Sequence, residues 1–200
     1  MNIKIIALIL SAFLIGGTGA LLLNSGSQPT ATKTTGKALI GGPFTMVNHD
    51  GQTVTQETFA GRHSLVFFGF THCPDICPAT LQVAGDAMEK LGPLAAKVQP
   101  IFVSVDPERD TPATLKSYLE DFDPRLTGLT GSVDQVDAMA KAYRIYHAKV
   151  DDPNSADGYT VDHSAFMYLM SPAGQYIAHY PPAIQGEALA NKLRPVLARS

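Results

Sequence analysis

The stretch Leu65–Leu81, LVFFGFTHCPDICPATL, holds both cysteines of the 200-residue chain and decides how the rest is read. Leu65 to Phe70 is an unbroken apolar run bounded by polar and turn-forming residues, the pattern of a strand buried on both faces of a parallel sheet. Cys73 and Cys77 follow at once as a CxxxC pair. Pro74 and Pro78 oppose a regular helix between them, and Pro78 suits the first position of a helix running to about Leu91. Cys77 is then expected at the helix start, with Cys73 in the turn before it. Free N–H groups and the positive end of the helix dipole favour thiolate over thiol, so both sulfurs are expected to ionise unusually easily. Two close thiolates can bind a soft metal or form a disulfide. As a mere staple that disulfide would be weak, because closing so short a loop is worth roughly 2 kcal/mol against about 4.7 for a loop of 100 residues.

The chain carries 15 basic and 18 acidic residues, a net charge of −3, and no Lys/Arg cluster, which leaves nucleic-acid binding without support. A hydrophobic content of 45% points to a folded domain rather than disorder. Ile5 to Leu23 is 19 residues without a charge, preceded by Lys4. At about 1.5 Å per residue it spans roughly 28 Å, close to a bilayer core. Thr18 and Ala20 would also fit a cleaved signal peptide, but Leu21 to Leu23 continue the apolar run past that site and favour an uncleaved single transmembrane helix. Either reading exports the folded domain. The segment lacks the Arg- and Ser-rich character of a mitochondrial presequence, so the expected address is a bacterial inner membrane with the domain in the periplasm. The expected organisation is a membrane anchor over 1–23, a Ser-, Thr- and Gly-rich tether over 24–37 and one folded domain over 38–200.

Phe44 to Val47 and Gln52 to Thr55 flank Asp50-Gly51, a tight-hairpin signal ahead of the central strand. Gly92-Pro93 should end the cysteine helix, and Val98 to Val105 supplies a second buried strand. Thr111-Pro112 starts a helix to about Phe122, and Ser132 with Gln135 makes a capping box for another to about His147. Leu126 to Leu129 reads as a short strand between them. Phe166 to Met170 and Gln175 to Tyr180 form an antiparallel hairpin, and a last helix runs from about Gln185 to Ala198. This order makes the chain α/β, and the dithiol after the first buried strand makes it thioredoxin-like, with an N-terminal β-hairpin extension and an inserted segment. His49, His63 and His72 read as exposed turn residues, Met167 and Met170 as core filling, and His147 and His179 carry no role.

Three blocks, FGFTHCPDICPATL, VSVDPERDTP and VDHSAFMYLMSPAGQY, resemble the signature blocks of the Sco/SenC family in order and spacing, and the likeness covers the domain from about Gly41 onward. That family comprises membrane-anchored proteins implicated in copper delivery to cytochrome c oxidase. The resemblance implies that Cys73, Cys77 and His163 bind copper, with Asp106 and Asp75 as acidic neighbours. In a thioredoxin-like fold the loop entering the strand Phe166 to Met170 faces the dithiol, which would bring His163 to the cysteines. Two thiolates and an imidazole form a soft three-coordinate set suited to Cu(I). Asp106 ends a strand on the side of an α/β sheet where ligands gather, and it reads equally as a turn residue. The implied function is a copper metallochaperone whose partners are a cytochrome c oxidase subunit with a CuA-type copper site and a thiol reductant. The alternative is an enzyme, a thiol-disulfide oxidoreductase with Cys73 and Cys77 as its catalytic pair, reducing cysteines of the oxidase copper site or of other periplasmic targets.

Overall fold

The computed structural model describes residues 39–199, and its centre is the apolar run Leu65 to Phe70. In chain order the elements are β1 (Thr45–Asn48), β2 (Thr53–Thr55), β3 (His63–Gly69), α1 (Ile76–Leu91), β4 (Val98–Ser104), α2 (Pro112–Leu119), β5 (Thr127–Thr130), α3 (Val133–Tyr143), β6 (His147–Asp151), β7 (Tyr159–His163), β8 (Met167–Met170), β9 (Tyr176–Tyr180) and α4 (Gly186–Leu197). Among the described residues seven strands form one sheet in the order β2-β1-β5-β4-β3-β8-β9, while β6 and β7 pair only with each other. β3, β4 and β5 run parallel, and the flanking strands are antiparallel. Every residue of β3 and of β4 is buried, because helices cover both faces of the sheet.

Alternate residues of β3 serve the two faces. Phe67 stacks on Phe102 at 6.0 Å on one side, beneath α1. Phe68 meets Tyr143 of α3 at 5.3 Å and Tyr168 of β8 at 6.5 Å on the other. α4 packs on α1, where Arg194 Nη2 donates to the Lys90 carbonyl at 2.6 Å. The result is a thioredoxin-type α/β fold with the β1–β2 hairpin added at one sheet edge. Gly51 turns that hairpin at φ +78°, the conformation the Asp50-Gly51 signal requires.

Several expected boundaries shift for local reasons. α1 starts at Ile76, two residues before Pro78, because the first-turn N–H that proline lacks has no intrahelical partner anyway. The helix opened by the Ser132–Gln135 capping box stops at Tyr143 rather than near His147. Arg144 turns left-handed at φ 57°, and His147 opens β6 instead. α2 ends at Leu119, short of Phe122. His63 is not an exposed turn residue: it is the buried first residue of β3, and burial lowers its pKa. His49 does lie in the turn after β1, but half-buried rather than exposed, its Nδ1 accepting the Gly128 N–H at 2.9 Å. Among the described residues no helix is long and apolar enough to cross a membrane, and the anchor expected over 1–23 and the tether over 24–37 lie outside them.

Candidate metal centre

Cys73 lies in the turn between β3 and α1, half-buried, and Cys77 lies in the first turn of α1, fully buried. Cys77 Sγ rests directly on β3 because Gly69 has no side chain: a Cβ there would sit 2.7 Å from the sulfur. The thiols separate sharply in acidity, so the expectation that both ionise easily holds for one only. The Cys77 thiol donates to Cys73 and, against the opposing effect of burial, lowers the Cys73 pKa to about 4, with the Asp75 and Cys77 backbone N–H groups adding to the effect. Cys77 shifts upward, because its proton is engaged by Cys73, its sulfur is enclosed, and a second negative charge beside Cys73 is disfavoured.

His163 comes from the other side, as the last residue of β7 rather than from the entrance of β8. Its Nε2 lies 3.6 Å from Cys77 Sγ and its Nδ1 lies 3.2 Å from the Ser164 carbonyl. A proton on Nδ1 donated to that carbonyl leaves the Nε2 lone pair facing the sulfurs, the tautomer a metal ligand needs. Phe67 and Phe70 meet the ring edge-on at 6.3 and 5.8 Å and hold its plane. The ligand atoms of Cys73, Cys77 and His163 all lie within 4.8 Å of one another, and among the described residues no other group of histidine, cysteine and carboxylate side chains gathers this way. The set is soft, and with three ligands it leaves a coordination position open.

The two acidic candidates lie outside that group. Asp75 is exposed at the N-cap position of α1, and its side chain makes no capping bond. Asp106 is buried and spent on other partners: it accepts from Arg109 Nε at 2.5 Å and from Tyr159 Oη at 3.1 Å. His72 is exposed, with Nδ1 at 3.0 Å from Thr71 Oγ1. Met167 and Met170 are fully enclosed in β8.

Sequence reasoning missed the β6–β7 hairpin and two residues that shape the site. Asp110 is fully buried and accepts from Ser104 Oγ and Thr71 Oγ1, both at 2.6 Å, and from the Thr71 N–H at 3.1 Å. Burial raises its pKa against those hydrogen bonds. It thereby pins the turn two residues before Cys73. Arg109 lies with its guanidinium 3.9 Å from the Tyr159 ring centroid. The available signal for the hairpin was the turn-rich run 152–158, DPNSADG, between two short segments rich in Val, Thr and Tyr.

Comparison with known proteins gives one consistent answer. A model described as SCO1/SenC matches residues 32–198. The chain is similar to the protein SCO1 homolog 1, mitochondrial, of Arabidopsis thaliana, with 44% identity over 146 residues, covering 72% of this chain and 43% of that protein. It spans about half the length of the mitochondrial relatives it matches. Among solved structures, Bradyrhizobium japonicum ScoI with copper bound aligns with a TM-score of 0.72 and 42% identity, over 78% of this chain and 98% of that one. BsSco, described with a disulfide switch and as a member of the Sco family of cytochrome c oxidase assembly proteins, aligns with a TM-score of 0.62 and 28% identity, over 80% of this chain and 94% of that one.

Proposed function

The chain belongs to the SCO1/SenC family, and on that premise we propose that it carries copper as cargo, binding one ion through Cys73, Cys77 and His163 and passing it to a copper site of cytochrome c oxidase. The observation that carries this reading is the convergence of the three ligand atoms within 4.8 Å, from elements 86 residues apart in sequence. Thiolates and imidazole favour Cu(I), and the open position admits a partner's thiolate. Transfer is then stepwise: the incoming sulfur binds, the half-exposed Cys73 leaves first, and the buried Cys77 and His163 follow. The place of action is the periplasmic face of a bacterial inner membrane, with residues 1–23 as a single anchor and 24–37 as the tether that lets the domain reach its partner.

Redox state gates loading. Joining the Cys73 thiolate and the Cys77 thiol as a disulfide passes two electrons to an external oxidant, releases the one proton that Cys77 holds and removes two of the three ligands, so an external dithiol reductant must return both electrons before copper binds again.

The test is an anaerobic Cu(I) titration of the reduced full chain in detergent, beside His163→Ala. One copper per chain that protects both thiols, with affinity falling at least tenfold in the variant, is the expected result. Copper binding that is indifferent to His163 would sink the three-ligand reading.

A second reading, thiol-disulfide oxidoreductase, is favoured by the asymmetry of the pair. Cys73 has the lowered pKa and the exposure of an attacking thiol, and Cys77 is the enclosed partner. This activity should survive His163→Ala, so exchange with a disulfide substrate in that variant separates the two roles.

A further inference from the structure

β6 and β7 form a two-stranded sheet of their own, without a ladder to the seven-stranded sheet among the described residues. Backbone pairing reaches His163 only through the link 164–166 to β8, whose Met167 pairs with Phe67 of β3, and leaves the rest of the hairpin to side-chain contacts. Besides His147 Nε2 at 3.2 Å from Asp137 Oδ1 of α3, His72 Nε2 at 4.0 Å from Asp157 Oδ2 and the buried Val161, the hairpin's polar side-chain contacts gather on Asp106–Asp110, the five residues just after β4, next to Val105, whose N–H donates to the Gly69 carbonyl at 2.8 Å. Toward the sulfurs, Asp110 holds Thr71, and the Arg109 guanidinium lies 5.8 Å from the centroid of Phe70, whose ring in turn abuts His163. Toward the hairpin, Arg109 Nη1 donates to Asp157 Oδ2 at 3.2 Å and to the Tyr159 carbonyl at 3.4 Å, its plane covers the Tyr159 ring, and Tyr159 Oη donates to Asp106. Lys149 of β6 pairs with Glu108. Arg109 is the residue that touches Asp106, the hairpin and Phe70 together. Its side chain is 10% exposed, and its Nη2 is buried without a hydrogen-bond partner among the described residues. Such a group is a costly way to glue a hairpin to a domain, since apolar residues of similar volume often do so as well or better.

We infer that Arg109 is a positioning residue that sets the reach of His163 to Cys73 and Cys77, and through it the affinity of the site for its metal. The affinity clause rests on the proposed copper-carrying function. Residues that orient a ligand from behind typically change metal affinity about 10- to 100-fold when replaced. Lysine keeps the charge but not the planar fork or the stacking, so Arg109→Lys should restore only part of the effect.

The test uses the full chain with Arg109→Met and Arg109→Lys and has two readouts. In metal-free protein, amide hydrogen exchange should speed up in β6 and β7 of Arg109→Met and stay unchanged in β3; unchanged exchange in β7 overturns the positioning role whatever the metal does. With copper, competition against a chromophoric Cu(I) chelator should show about 10- to 100-fold weaker binding for Arg109→Met. Added to His163→Ala, the same change should cause no further loss. An equal loss in both backgrounds would mean that Arg109 does not act through His163 and would overturn the inference. A wild-type chain that binds no copper would overturn the affinity clause along with the copper reading, while the exchange measurement still decides the positioning role.

Discussion

Gly69→Ala is a one-carbon test of how Cys77 is held. Gly69 lies in a strand with ordinary backbone, so alanine by itself should stabilise by about 0.4–1 kcal/mol, by restricting the unfolded chain. The structure opposes that gain. The new Cβ would lie 2.7 Å from Cys77 Sγ, 2.9 Å from Phe102 Cε2 and 3.1 Å from Phe67 Cε1, all atoms of buried side chains packed between sheet and α1. Overpacking of this kind costs about 1–3 kcal/mol, and the middle of that range less the middle of the gain leaves a net destabilisation of about 1.3 kcal/mol. For a domain of this size each kcal/mol shifts Tm by about 2–4 °C, so the reduced protein should melt about 3–5 °C lower. Cys77 should also become more reactive, because its sulfur must move off β3. The control is Gly42→Ala, where the added carbon meets Ala142 Cβ at an ordinary 3.6 Å. Calorimetry and timed alkylation with mass spectrometry read both effects. A Gly69→Ala protein as stable as wild type, with Cys77 still protected, would refute the close packing of sulfur on strand.

Alkylation of Cys73 in the reduced, metal-free protein should follow a group titrating near pH 4, while Cys77 resists until unfolding. An unfolded cysteine titrates near ~8.5, so the depressed native value stabilises the fold; that contribution is complete above the unfolded pKa and is lost as pH falls toward the native one. Denaturant unfolding between those limits should show the loss for wild type and a flatter profile for Cys73→Ser, and parallel profiles would contradict it. Asp110→Ala should cost about 3 kcal/mol, because it strands the buried Ser104 hydroxyl and the Thr71 donors, and it should speed Cys73 alkylation. By contrast, Asp50→Ala breaks an exposed pair with Lys116 and a 3.8 Å contact with His49 Nε2 in the same turn, and should leave the unfolding midpoint where it was.

Local chemistry carries much of what could be read early. The apolar run of β3, the Asp50-Gly51 hairpin, the Ser132–Gln135 box and the Gly92 stop each depend on near neighbours in the chain, so they are legible residue by residue. The cysteine spacing likewise announces a dithiol. Helix ends were less legible. Nothing local at Tyr143 forbids another turn, and it is the pairing of His147 with His163 across β6 and β7 that claims the residues beyond it.

The sequence by itself determined the α/β order, the central strand and the placement of two cysteines around a helix start, because strand burial, turn formation and helix initiation are short-range preferences. Only the tertiary structure decided three further things: that Cys73 and not Cys77 is the acidic thiol, that His163 arrives on a separate hairpin, and that Asp106 faces Arg109 and Tyr159 rather than the sulfurs. The physical reason is common to all three. Acidity depends on burial and on the neighbouring charge, and ligand reach depends on side-chain contacts between segments some 50 to 90 residues apart, so neither quantity exists until the chain has folded.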